Sequence, residues 1–163
     1  MVAPNAFHHM FLPQAARLFP ATQIYGPRRA RKKYPQLQIA HLADASWGEE
    51  VEAVPLQGLR FEEWAFYHHA SRSLILTDLL FNLQGPTRLM LTLEGAGGRL
   101  ACTRLVATVL LKDRQQLRQG CEQLLQHPIE RLLMCHGKTV EHQARQAFAE
   151  AMAWTGLNPA DYS

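Results

Sequence analysis

The amino-acid sequence predicts an α/β fold, and three features carry that expectation. Between residues 51 and 78, three short runs rich in aromatic and branched side chains are separated by turn signals, the pattern of a meander. On either side, extended runs alternate with helical ones: ATQIYG before PRRARKKYP, and DRQQLRQGCEQLLQHP before IERLLMCHG. The last of these is apolar over most of its length, as a parallel strand covered on both faces is. At 163 residues the chain has the length of one domain, residues 1–163. A chain of that size buries roughly 68–70% of its unfolded surface, enough for a core without staples.

The opening MVAPNAFHHMFLPQAARLF reads as a short extended piece broken by Pro4 and Asn5, followed by two histidines and a helix over about residues 10 to 18. ATQIYG reads as a short strand, PRRARKKYP as a basic helix ended by Pro35, and residues 36 to 50 as loop. The meander runs through VEAVPLQ (51–57), RFEEWAFYH (60–68) and SLILTD (73–78), with Gly58 and Ala70-Ser71-Arg72 as its turns. A polar, glycine-rich break at Glu94-Gly95-Ala96-Gly97-Gly98 comes next, after which the chain turns helical. Leu117, Cys121, Leu124 and Leu125 share one face of a helix that Pro128 stops. In EHQARQAFAEAMAW the spacing of Ala144, Ala147, Phe148, Ala151 and Trp154 predicts a last helix.

A formal charge of +3, with 19% charged and 47% hydrophobic residues, describes an ordinary globule and argues against a dedicated nucleic-acid binder. Residues 27–33, PRRARKK, read as a solvated helix face because no aromatic residues are interleaved to stack bases. Contact with phosphate or an acidic partner is the alternative. Cys102, Cys121 and Cys135 are odd in number and widely spaced, with no C-x-x-C and no secretory leader, so they read as reduced, mostly buried thiols of a cytoplasmic protein. Cys135 is assigned to the core, because on a strand it faces away from His136. No apolar run approaches the ~18 residues of a membrane span. Trp47, Trp64 and Trp154 read as packing residues.

Three places share one property: a strand ends, and a side chain able to bind metal stands at its exit. They are His8-His9, His68-His69 with Asp78, and His136. In α/β layers ligands gather outside strand ends, where loops carry chemistry on a rigid base. Imidazole and carboxylate suit zinc, iron or manganese, and three or four must converge at about 2.0–2.2 Å from a zinc ion.

The order of these motifs resembles the metallo-β-lactamase superfamily, αββα hydrolases whose pattern is H-x-H-x-D-H, a G-H-T-P-G-S-like turn, a G-D-x-L-F-like strand exit and a final G-H-G. HHASRSLILTDLLF is similar to the second and third, and LLMCHGKTV to the last; VAPNAFHHMFL with HHASRSLILTDLLFN is closer still to an uncharacterised bacterial branch, a domain of unknown function. The likeness runs from about residue 2 to residue 155. It implies an αββα sandwich with an incomplete N-terminal half, since the first motif arrives almost at once. Missing strands would leave an open edge and an apolar face, which implies a homodimer through the exposed N-terminal sheet.

Laid over H-x-H-x-D-H, PNAFHH puts Pro4 and Ala6 in place of the first two histidines, His8 in place of the aspartate and His9 on the last histidine. The resemblance therefore implies that most of the first metal site is lost. The second remains as His8 or His9, Asp78 and His136, with His68 left over from the first. Alternation along a strand admits one member of each histidine pair, and the reading prefers His68 over His69 and His9 over His8. The function implied is a hydrolase with a single zinc, or iron or manganese, ion that acts on a small-molecule ester, lactone, thioester or phosphoester. Asp78 and His68 would be catalytic, with His68 as a proton shuttle. The alternative is a catalytically degenerate binding or scaffold protein whose histidines only form hydrogen bonds.

Overall fold

The computed structural model describes residues 1–84, 95 and 97–162. Its centre is a four-stranded sheet of β1 (Val51–Pro55), β2 (Trp64–His68), β3 (Ser73–Leu76) and β4 (Arg131–Met134), in that spatial order. The first three strands form the expected antiparallel meander, with Val51 opposite His68 and His68 opposite Ser73. β4 joins β3 in parallel, pairing Leu76 with Met134, so the exits of both strands lie at the same end of the sheet.

β2 is buried on both faces, and its alternation sorts side chains between two clusters. Ala65 and Tyr67 enter the main core with Leu74, Leu76 and Leu132, whereas Trp64 and Phe66 meet Leu42 and Trp47 on the other side. Among the described residues the α-helices are α1 (Leu12–Leu18), α2 (Arg28–Lys33), α3 (Arg114–Leu124) and α4 (Ala144–Met152). Asp113 caps α3 by accepting from the Gln115 and Gln116 backbone N–H groups, and Leu117, Cys121 and Leu124 bury the helix against the main core. Each such leucine contributes roughly 1.5–3 kcal/mol of burial. Phe148, Ala149 and Met152 of α4 pack into the same core. The N-terminal segment, α1 and α2 close a smaller cluster around Ala3, Leu12, Ile24, Ala30 and Ile39.

Several expectations give way to the structure. ATQIYG is not a strand: only Tyr25 pairs, by single bridges to Val2 and Ala40, and Pro27, which lacks an N–H, follows directly. The run from residue 60 is extended only from Trp64, because the chain first turns at Gly58, whose carbonyl accepts from the Lys112 and Asp113 N–H groups. A π-helical stretch, Leu105–Val109, went unforeseen; Leu110 N–H closes it onto the Leu105 carbonyl. Cys135 is exposed rather than in the core, since β4 ends at Met134 and pleat alternation no longer governs the next residue. Burial holds the other two thiols protonated and raises Cys102 to about 12. Of the glycine-rich break, Glu94 and Ala96 lie outside the described residues, as do residues 85–93 before it.

Candidate metal centre

The site is built where β3 and β4 end. Asp78 stands two residues beyond β3, and His136 stands two residues beyond β4. Asn82 clamps the His136 loop: its N–H donates to the His136 carbonyl, and its side-chain amide donates to the Lys138 carbonyl at 2.8 Å. Gly137 sits at φ +113, and a Cβ there would lie 2.1 Å from the Asn82 carbonyl oxygen, so only glycine fits this turn. Phe81 stacks flat on the His136 ring, with centroids 4.8 Å apart and planes at 6°.

The N-terminal segment supplies the third group. Asn5, fully buried, turns the chain by accepting the N–H groups of Phe7 and His8 on its side-chain oxygen at 2.9 and 2.8 Å. This turn delivers His8 to Asp78. His8 Nε2 lies 3.1 Å from Asp78 Oδ1, and His136 Nε2 lies 3.0 Å from the same oxygen. His8, Asp78 and His136 are the one group of potential metal ligands found among the described residues, with their donor atoms all within 4.8 Å of one another.

A further carboxylate braces the arrangement from below. Asn5 Nδ2 donates to Asp78 Oδ2 at 2.6 Å and to Glu63 Oε2 at 2.7 Å, while Glu63 Oε1 accepts from Thr77 Oγ1 at 2.5 Å and the Asp78 N–H at 3.0 Å. Asp78 therefore has one oxygen held by protein and the other aimed at two imidazoles. Burial pushes the Glu63 carboxyl up to about 7, opposed by the Thr77 and Asn5 hydrogen bonds and reinforced by the nearby Asp78 charge.

The sequence-level candidates divide accordingly. His8, Asp78 and His136 are brought together; His9 and His68 are not. His9, preferred to His8, is buried with its ring edge-on to Tyr34 at 5.7 Å, and its Nδ1 has no hydrogen-bond partner. Burial and the nearby Lys33 hold its pKa below the ordinary value. The preference assumed an extended strand, whereas the chain curls at Asn5. His68 ends β2 at the opposite end of the strands, where its Nδ1 lies 2.7 Å from Ser71 Oγ. Five residues along a strand span roughly 17 Å, too far for a proton shuttle to reach Asp78 directly. Neither Asn5 nor Glu63 was singled out from sequence. Glu63 carried a signal all the same, since it is an acid in phase with the inward residues Ala65 and Tyr67.

The donor set fits a metal. In a tetrahedral site with ~2.0–2.1 Å bonds, ligand atoms stand about 3.4 Å apart, a few tenths of an ångström from the two Nε2···Oδ1 separations here. Two imidazoles and one carboxylate with further positions open are the donors of mononuclear zinc and non-haem iron centres.

No protein-family model and no curated protein matches the sequence. Solved structures do match. TMB-1 superposes with a TM-score of 0.54 at 8% identity, over 95% of this chain and 67% of its own. A metallo-β-lactamase from Pontibacter korlensis gives 0.55 at 10% identity, over 93% and 67%, and the metallo-β-lactamase DIM-1, solved after exposure to ceftazidime, gives 0.53 at 7%, over 93% and 65%. This chain has the metallo-β-lactamase fold. It spans about two thirds of the length of these enzymes, and identity this low speaks for architecture and not for activity. Within the metallo-β-lactamase fold the His8, Asp78 and His136 cluster sits outside the strand ends, where α/β proteins place their ligands. No helix among the described residues is long and apolar enough to cross a membrane.

Proposed function

We propose that this chain is a mononuclear metal-dependent hydrolase. The observation that carries the reading is the convergence of His8, Asp78 and His136 at an open cavity, with the second oxygen of Asp78 already committed to Asn5. When bound, a zinc, iron or manganese ion supplies Lewis acidity to a substrate oxygen and acidifies water at neutral pH. The chain's own residues do the rest. Both imidazoles and Asp78 Oδ1 would hold the ion, and Asn5 fixes Asp78 so that Oδ1 faces outward. Phe81 sets the plane of the His136 ring, and Glu63, through Asn5 and the Asp78 N–H, prevents the carboxylate from rotating.

A second reading rests on the same distances. At 3.0 and 3.1 Å the imidazoles are also within hydrogen-bond reach of Asp78, so the cluster suits a binding protein that has given up catalysis. Metal analysis of protein purified without chelator separates the two. The hydrolase reading expects about one ion per chain in the wild type and almost none in Asp78→Ala or His136→Ala; equal metal in all three would end it.

A further inference from the structure

Resting on the hydrolase reading, we infer that the substrate is a neutral acyl compound, an ester, lactone or thioester, whose acyl part is a long apolar chain held in the cavity beside the cluster. That cavity, about 780 Å³, has the size of a small-molecule site. Its apolar lining includes Phe7, Phe11, Phe61, Leu105, Val106 and Leu110. Phe11 is 74% exposed and Leu105 50%, so the rim itself offers apolar surface to an entering chain. Among the described lining residues the polar side chains are His8, Asp78 and His136 of the cluster, with His9 and Thr103. Such a site has a hydrolytic pole and a greasy body.

Charge decides between carbonyl and phosphoryl substrates. Among the described lining residues there is no lysine or arginine, and without them a phosphoester would have a single cation to neutralise its oxygens. Arg28, Arg29, Lys32 and Lys33 of α2, with Arg60, line a neighbouring groove that shares Phe61 with this cavity but holds none of the three clustered groups, and Arg29 approaches the cavity at the Phe7 ring, 6.0 Å from its centroid, rather than at the cluster. A carbonyl oxygen needs one electrophile, which the cluster can hold.

The test has two arms. In the first, zinc-loaded full chain is assayed on p-nitrophenyl esters from acetyl to dodecanoyl and on bis(p-nitrophenyl) phosphate. The expected result is a kcat/KM that climbs roughly threefold per added methylene through the shorter members, with little phosphodiester turnover. In the second, a fluorescent long-chain fatty acid is titrated into His136→Ala and displaced by straight-chain acids of increasing length, a readout that needs no metal. Displacement should strengthen with length. A Phe11→Lys, Leu105→Lys double variant, altered only at exposed positions and checked for folding by circular dichroism, should weaken long-chain binding at least tenfold and leave the shortest acids unaffected. Ester turnover that ignores chain length, a preference for the phosphodiester, or binding that the double variant does not weaken overturns the inference while leaving the hydrolase reading intact. Length-dependent binding with no turnover of any ester keeps the acyl cavity and removes the hydrolase reading alone.

Discussion

Histidines gather at both ends of the β2–β3 hairpin, and the two ends use them differently. At the Trp64 end, Asp78 Oδ1 faces His8 and His136 while buried Asn5 holds Oδ2 and buried Glu63 accepts the Asp78 N–H. At the His68 end, His127 stacks on Tyr67 with centroids 4.2 Å apart, His69 meets both rings edge-on, and the carboxylate within reach, Glu52, accepts from His127 at 3.0 Å and from Gln123 at 3.1 Å. Glu52 is 34% exposed and Asp78 14%. Histidine number is therefore a poor guide. A buried donor that fixes one carboxylate oxygen, and so leaves the other aimed at two imidazoles, separates a candidate centre from a decorated edge.

The largest way to break this comparison is to remove an imidazole from the cluster. His8→Ala should lower affinity for zinc by at least ~100-fold, because the ion loses a direct ligand, while His9→Ala, one residue on, should change it by less than about threefold. Isothermal titration of both variants reads the difference. A loss in His9→Ala equal to that in His8→Ala would show that the curl at Asn5 is wrong.

Next in size is the support. Asn5→Ala removes four hydrogen bonds and leaves the Glu63 and Asp78 carboxylates facing each other without a donor between them. Urea unfolding should show a loss of about 3 kcal/mol, and zinc affinity should fall between ~10- and 100-fold. An affinity that survives this change would place the support elsewhere and equalise the two ends of the hairpin.

Glu63 sharpens the comparison through pH. In the metal-free chain burial holds its carboxyl near 7 when folded, against an ordinary 4.5. A raised carboxyl binds its proton more tightly in the folded state, so its contribution is fully present below about pH 4.5 and is lost as pH climbs to about 7. The amount is ~3 kcal/mol. Glu63→Gln cannot titrate, and the stability advantage of wild type over this variant should shrink across that window when both are unfolded in urea. An advantage that stays constant with pH would remove Glu63 as a titrating group.

The legible parts of the fold were those that depend on local pattern. The meander, α3 with its Pro128 stop, and the parallel β4 are visible because apolar period and punctuation agree. Asp78 and His136 were legible for the same reason: each follows an apolar strand whose end the pattern marks. The choice between His8 and His9 was not, since alternation holds only for extended chain, and the Asn5 side chain imposes a turn instead. The misplacement of His68 was avoidable. A hairpin that turns at residues 69–72 sets His68 opposite Ser73, and the same register continued sets Glu63 opposite Asp78. That geometry, available from strand pairing alone, sends His68 away from the site and Glu63 into it.

The smallest effect is expected at the far end, and it tests the comparison from the other side. His68 Nδ1 accepts the Ser71 N–H at 3.3 Å and lies within reach of Ser71 Oγ, which in turn donates to Ser73 Oγ at 2.8 Å. These bonds steady a tight turn in which Arg72 already occupies φ +49. Alanine at position 68 removes a partner from half-exposed groups that water can satisfy, so the cost in urea unfolding should be ~1 kcal/mol or less. Zinc stoichiometry and affinity should stay at wild-type values, because no bond of the far turn reaches the Asn5, Glu63 and Asp78 network. A His68→Ala chain that lost its metal would mean that the imidazole crosses the sheet or that the hairpin transmits the turn's geometry along its length, and either would undo the division between the two ends.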